Sequence, residues 1–244
     1  MSFTDVKKVK PLKLNKDWAL LYGILLGDGC LSHYFSKQQR EFFVISITGN
    51  YYNDRPFFEN VLVPLLSSFR GKQVKIKERP KGGRIDINFS DEILFHKIKS
   101  LEFPVGKKGP NIIIPKIFYK GNLLKYIMQG FFATDGSLVL TKNPNKFYPR
   151  LEAQAIHKTL ILQIYNYLAS LGIKGHFYRC KFKPDPRWKV VQKRYKFQFN
   201  GKRNLLLFNN LVGFVNPKHK QRFLNFLAYS RKYDKERVNG AGEI

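Results

Sequence analysis

Two nine-residue stretches constrain the fold of this chain more than any others: LYGILLGDG at Leu21 to Gly29 and MQGFFATDG at Met128 to Gly136. Each is an apolar run that carries a glycine and ends in Asp-Gly. The apolar residues extend upstream in both copies (Trp18, Ala19, Leu20; Leu123, Leu124, Ile127), as in a helix buried on most of its circumference. Such a helix needs a partner. Gly23 and Gly27 lie four apart, as do Gly130 and Thr134, so each helix has a narrow stripe of small residues where another backbone can approach closely. The two helices are therefore expected to pack on each other. Gly29 and Gly136 fall where the patterns stop, and are expected to cap the helices in the left-handed conformation. Side by side, the helices would bring Asp28 and Asp135 together at their ends.

Two close carboxylates at the negative ends of two helix dipoles repel, and the arrangement is costly unless a cation neutralises it. Ligation by carboxylate, backbone carbonyl and water favours Mg²⁺, with Mn²⁺ or Ca²⁺ able to occupy the same site, over zinc or copper. Asp28 and Asp135 are thus the candidate catalytic and metal-binding acids. Their positions, 107 residues apart in matching contexts, point to one site made from two repeats.

At these residues the sequence resembles the LAGLIDADG homing endonucleases, in the monomeric form with both motifs on one chain. Gly23 and Gly130 match the first glycine, Asp28 and Asp135 the acid, and Gly29 and Gly136 the final glycine. Tyr22 and Gln129 depart from the alanine of the pattern, and Leu26 and Ala133 from its first, variable aspartate. The resemblance implies a metal-dependent, intron-encoded DNA endonuclease. It also implies that the residue before each acid, Gly27 and Thr134, lends a backbone carbonyl to the metal. A polar or basic ring at the strand ends is implied as well; Thr48, Asn50, Gln154, His157, Lys158, Lys196 and Lys202 are its candidates.

The formal net charge of +27, from 44 Lys and Arg against 17 acids, points to a polyanionic partner, double-stranded DNA first. The basic residues are spread along the chain among Tyr, Phe, Gln and Asn, unlike a basic tail or one amphipathic membrane helix. No apolar run approaches the roughly 20 residues of a membrane span, and residues 1 to 10 lack a signal-peptide core. A prokaryotic cytoplasm, or the organelle that encodes the chain, is the expected location, with no membrane partner. Cys30 and Cys180 offer neither a zinc site nor a disulfide framework.

Taken in order, the chain reads as two α-β-β-α-β-β-α units with a period near 110 residues. The first half covers residues 1–103 and a Pro- and Gly-bearing linker residues 104–122. The second half covers 123–244 and carries an extra helix from Asn216 to about Tyr229. In the first half the second helix is expected over Asp54 to Phe69, kinked or interrupted by Pro64. The fold class is α+β: two pseudo-symmetric halves, each a four-stranded antiparallel sheet with helices on one face, joined through the motif helices.

The opposite sheet faces are the candidate DNA surface. Ser32, Tyr34, Ser36 and Gln38 alternate with Leu31, His33 and Phe35, and Arg40 follows. Lys75, Lys77, Arg79 and Arg84 come from the later hairpin of the first half. The second half adds Thr141, Asn143, Tyr178, Arg179, Lys181, Lys183, Lys193, Arg194, Lys196 and Gln198. A ten-residue strand spans roughly 34 Å, so two sheets end to end cover about 20 base pairs. The function expected is site-specific cleavage of a long, asymmetric duplex. An RNA-binding intron maturase with host intron RNA as partner, and a DNA-binding regulator without catalysis, are the alternatives.

Overall fold

The computed structural model describes residues 12–143, 146–180 and 193–239. The first motif helix, α1 (Lys16–Asp28), is capped by Asn15, whose side chain accepts from the backbone N–H groups of Asp17 and Trp18 at 3.1 and 3.0 Å. It leads into β1 (Gly29–Phe35), β2 (Glu41–Asn50), α2 (Tyr51–Phe57), α3 (Val63–Arg70), β3 (Ile76–Arg79), β4 (Arg84–Ser90) and α4 (Glu92–Ser100). The second half runs α5 (Leu123–Ala133), β5 (Ser137–Asn143), β6 (Lys146–Ala155), α6 (Lys158–Ser170), β7 (His176–Arg179), β8 (Tyr195–Asn200) and α7 (Lys202–Leu211), followed by α8 (Pro217–Asn239). Each half has a four-stranded antiparallel sheet, ordered β1-β2-β4-β3 and β5-β6-β8-β7. This is the expected α+β architecture. No helix among the described residues is long and apolar enough to cross a membrane.

The sheets follow period-two alternation. Leu31 pairs with Ile45, and Ile47 with Ile87, and all four are buried. Leu138 and Leu151 pair in the same way in the second half, beside buried Phe197 and Phe199. The helices lie on these apolar faces. A side chain such as Phe132 or Ile24, fully buried, stabilises the fold by roughly 1.5–3 kcal/mol relative to exposure.

Several expected boundaries move, each for a visible reason. The second helix begins at Tyr51 because Asn50 caps it, its side chain accepting from the N–H groups of Tyr52 and Asn53. Pro64 does not interrupt it. A π-helical segment, Phe58–Leu62, widens the helix just before that proline, and the Val63 N–H donates to Phe58 O. The last helix continues to Asn239, ten residues beyond the expected end. β1 stops at Phe35, so Ser36, Gln38 and Arg40 belong to the turn, closed by the Ser36 N–H on Arg40 O at 2.8 Å.

The motif helices are each other's main partners. A Cβ on Gly23 would lie 2.2 Å from Ile127 O, and one on Gly130 2.3 Å from Leu20 O. Leu20 and Ile127 hold the same place in the two motifs, so the contact is reciprocal about a pseudo-twofold axis. Gly27 meets Thr134 in the same register, its added Cβ falling 2.1 Å from the threonine Oγ1. The expected left-handed caps are absent. Gly29 has φ −87° and ψ 157°, and Gly136 is not among the positive-φ glycines. Their glycine requirement is steric: an added Cβ would sit 2.5 Å from Leu25 Cα or 2.7 Å from Phe132 Cα, because each strand turns back against its own helix.

Gly130→Ala is expected to destabilise the protein by about 1–3 kcal/mol or more, since backbone rather than a side-chain tip opposes the new methyl. Gly82→Ala, with nothing within 4 Å of the added atom, should stay within about 0.5 kcal/mol. Urea denaturation of the two variants measures the difference.

Candidate active site

Asp28 closes α1, and Asp135 stands two residues after α5 ends; the reciprocal packing carries both to one region between the sheets. Asp28 is half-buried, and Asp135 opens to solvent on one side while protein packs its others. Burial, and then the charge of Asp135, push the Asp28 carboxyl from 3.8 up to about 7. Burial likewise raises Asp135, against the nearby Lys108 ammonium. Asp28 therefore senses the charge of Asp135, and both acids sense Lys108.

Lys108 went unrecognised in the sequence. It comes from the segment between the halves, and its Nζ donates to Leu25 O and Leu26 O, each at 3.1 Å, and to Gly27 O. These are last-turn carbonyls of α1, where three ammonium donors meet the negative end of the helix. Burial lowers the Lys108 pKa, while Asp135 and Asp28 raise it. The connecting segment is fastened around it. The Gly106 N–H donates to Leu31 O at 2.6 Å, and Ile112, Ile114 and Phe118 are buried. The only hint in the sequence was a Lys-Lys pair among glycines and prolines.

The donor set suits a hard divalent cation: two carboxylates of raised pKa, beside carbonyls already turned toward a positive charge. Among the described residues no group of three or more His, Cys, Asp or Glu side chains is placed to hold a metal. Water and a polyanionic ligand would have to complete the coordination, as suits Mg²⁺, which keeps several waters.

The departures from the motif pattern have local reasons. Tyr22 is buried against the rings of Phe118 and Phe103, at centroid distances of 4.7 and 5.7 Å. Gln129 Nε2 donates to Val212 O at 2.7 Å. Ala133 O accepts from Asn216 Nδ2 at 2.8 Å, and Lys218 at the start of α8 pairs with Asp54 of α2 at 2.7 Å. The extra helix thus ties the end of the second motif to the first half.

Of the expected ring, Gln154 and Lys196 are neighbours across β6 and β8, and the others stand apart in role. Asn50 is a helix cap, Lys196 is paired with Glu152 at 2.9 Å, and Lys202 opens α7, exposed. Gln154 is exposed at the end of β6, its Oε1 accepting from Cys180 Sγ at 3.4 Å. His157 is buried rather than a surface histidine, and burial and Lys108 lower its pKa against a hydrogen bond to the Gly109 backbone. Beside it a cavity of about 750 Å³ is lined by Lys107, Lys108, Lys158, Thr159, Lys193 and Tyr195.

On the outer sheet faces lie Ser32 and Tyr34 of β1, Lys77 and Arg79 of β3, Arg84 of β4, and Lys196 and Gln198 of β8. Thr141 lies on β5, half-buried. Lys75 precedes β3, and Lys193 and Arg194 precede β8. Tyr178 is paired with Lys196 and shares its face; Arg179 is adjacent in the strand and points the other way. Lys181, Lys183 and the side chain of Asn143 lie outside the described residues.

No family model matches the chain, and no curated protein does. Among solved structures it is similar to the homing endonuclease I-DmoI in complex with DNA and calcium. The identity is 17% and the TM-score 0.58, over 83% of this chain and 93% of that one. I-DmoI with DNA and manganese gives 18% and 0.54, over 81% and 96%. I-SmaMI bound to its uncleaved DNA target in the presence of calcium gives 13% and 0.54, over 95% and 97%. The chain has the two-sheet fold of the LAGLIDADG homing endonucleases, the fold its doubled motif implied.

The raised acid has a signed consequence. Folded Asp28 holds its proton up to about pH 7, whereas an unfolded one loses it near 3.8. The stability of metal-free wild type minus that of Asp28→Asn should therefore fall as pH rises from about 4 to 7, then level off. Buried His219, held down to about 3, acts in the opposite sense but is common to both proteins. Denaturation of the pair across pH measures the difference, and Mn²⁺ should flatten it.

Proposed function

We propose that the protein is a site-specific endonuclease that hydrolyses both strands of a long, asymmetric DNA duplex of about 20 base pairs, acting as a monomer. The observation that carries this is the reciprocal helix contact, which sets Asp28 and Asp135 at one centre between two sheets of a strongly basic chain. Duplex target DNA and Ca, Mn or Mg ions accompany the structural neighbours, which supports the same partner and a divalent cation here.

In this reading residues 1–103 and 123–244 each take half of the target, and residues 104–122 join them while delivering Lys108. Asp28 and Asp135, with the carbonyls of Gly27 and Thr134, hold divalent ions. Such ions supply the Lewis acidity that activates water and stabilises the departing 3′ oxygen. Water oxygen bonds to phosphorus, the bond from phosphorus to the 3′ oxygen breaks, and the products are a 3′ hydroxyl and a 5′ phosphate. The Lys108 ammonium balances the acids until cations arrive, and stabilises the charge that grows on the phosphate. Gln154, and Thr48 at the matching rung of the first sheet, order the attacking water in this reading. The lysines around the cavity beside His157 bind backbone phosphates, and the outer faces read bases.

The test is incubation with a library of duplexes, with and without Mg²⁺. Wild type should cut a long target, and Asp28→Asn or Asp135→Asn should lower cleavage at least about 100-fold while binding survives. Tight duplex binding with no cutting under any divalent metal would sink the enzyme reading and leave a regulator; selective capture of a structured RNA in its place would point to a maturase. Affinity for duplex should fall by roughly 0.9 log units per log unit of salt for each phosphate neutralised. A response flat in salt would exclude the proposed charged surface.

A further inference from the structure

Each outer sheet face contains a carboxylate that an anion-binding surface has no electrostatic reason to keep. In the first half Asp86, on β4 between core residues Ile85 and Ile87, faces outward yet is only 4% exposed, because arginines cover it. Arg84 Nε donates to its Oδ1 at 2.6 Å, Arg79 Nε lies 3.6 Å from Oδ2, and Thr48 Oγ1 donates to Oδ1 at 2.9 Å. Arg84 Nη2 also donates to Thr48 Oγ1 at 3.3 Å. In the second half part-buried Glu152 of β6 holds the corresponding cluster: Oε2 lies 2.6 Å from Arg150 Nε and 2.9 Å from Lys196 Nζ as ion pairs, and accepts from Gln198 Nε2 at 3.0 Å.

A buried carboxylate is costly unless paired, and a surface meant only to attract phosphates would do better without it. What each carboxylate provides is a fixed arginine. Asp86 accepts from the Nε edge of Arg84, whose Nη2 donates to Thr48 and half of whose side chain stays exposed, and Glu152 stands beside the Nε of Arg150 as an ion-pair partner. A free arginine loses rotamer entropy on binding, part of which is already lost in a side chain held this way. Two parallel N–H donors on a rigid end match the O6 and N7 acceptors of guanine in the major groove. A phosphate also accepts such a fork, so enrichment of a guanine in bound duplexes is what distinguishes the two.

Building on the DNA-cleaving reading above, we propose that Arg84 and Arg150 are guanine readers set in place by Asp86 and Glu152, one in each half of the target. The halves do not mirror each other. The rung that holds Thr48 and Asp86 in the first sheet corresponds to the rung that holds Gln154 and Lys196 in the second. Arg84 pairs with Asn50, two residues past Thr48, whereas Arg150 lies four residues before Gln154 on β6 and pairs with Val139, so the two arginines stand at non-equivalent rungs. The two guanines therefore lie at non-equivalent places in the two half-sites, and the preferred duplex is asymmetric.

The test is selection of bound duplexes from a randomised library in Ca²⁺, followed by sequencing, for wild type, Asp86→Asn and Glu152→Gln. Wild type should enrich one guanine in each half, at places that a twofold axis does not relate. Asp86→Asn should relax one of these guanines about tenfold and spare the other, and Glu152→Gln should do the reverse. Arg84→Lys and Arg150→Lys, which keep the charge but lose the fork, should give the same two patterns even if the acid variants fold poorly. Selection of a long duplex with no guanine at either place, or with guanines unmoved by all four substitutions, overturns this inference alone. Failure to select any duplex overturns it together with the endonuclease reading.

Discussion

Everything in this structure depends on two backbone surfaces meeting without side chains between them. Gly23 lies on the Ile127 carbonyl and Gly130 on that of Leu20, and the closeness of α1 and α5 follows from that exchange. At this separation the last turns of both helices end side by side, and two acids that would otherwise sit on opposite halves share one environment. Burial raises both pKa values, and the charge of Asp135 raises that of Asp28 further, which is the cost of that geometry. Lys108 shows how the protein offsets it before any partner binds: an ammonium placed on the carbonyls at the end of α1, within the field of both acids.

The same packing explains the division of labour. The helices and the apolar sheet faces form one buried core that runs through both halves, so the outer faces are free to carry charge. Those faces are not uniformly positive. Asp86 and Glu152 break the field locally and pair with the cations around them, on different strands and at non-equivalent rungs. Two halves that repeat one topology thus differ in the side chains they present, as a chain that recognises an asymmetric sequence requires.

Much of this was legible in the sequence. The doubled motif carried the helix pairing and both acids, and period-two alternation carried eight strands in the correct order of appearance. What escaped was non-local. Lys108 looks like linker composition, and only the tertiary course of residues 104–122 carries it to the end of α1. Gly29 and Gly136 were read as conformational caps because Asp-Gly often ends a helix that way; the sharp return of the strand against its own helix is a steric constraint that leaves no periodic trace. Lys196 stands in the sequence as a candidate for the ring, and nothing near it shows that its ion-pair partner is Glu152, 44 residues upstream. Charge counted along a chain does not show which charges are already paired.

The central claim is that Asp28 and Asp135 form one centre rather than two. Electron paramagnetic resonance titration with Mn²⁺, on wild type, Asp28→Asn, Asp135→Asn and the double variant, measures it directly. A single centre predicts that either substitution weakens Mn²⁺ binding strongly and that the second adds far less than its separate effect. Additive losses, or Mn²⁺ binding that ignores both substitutions, would contradict it.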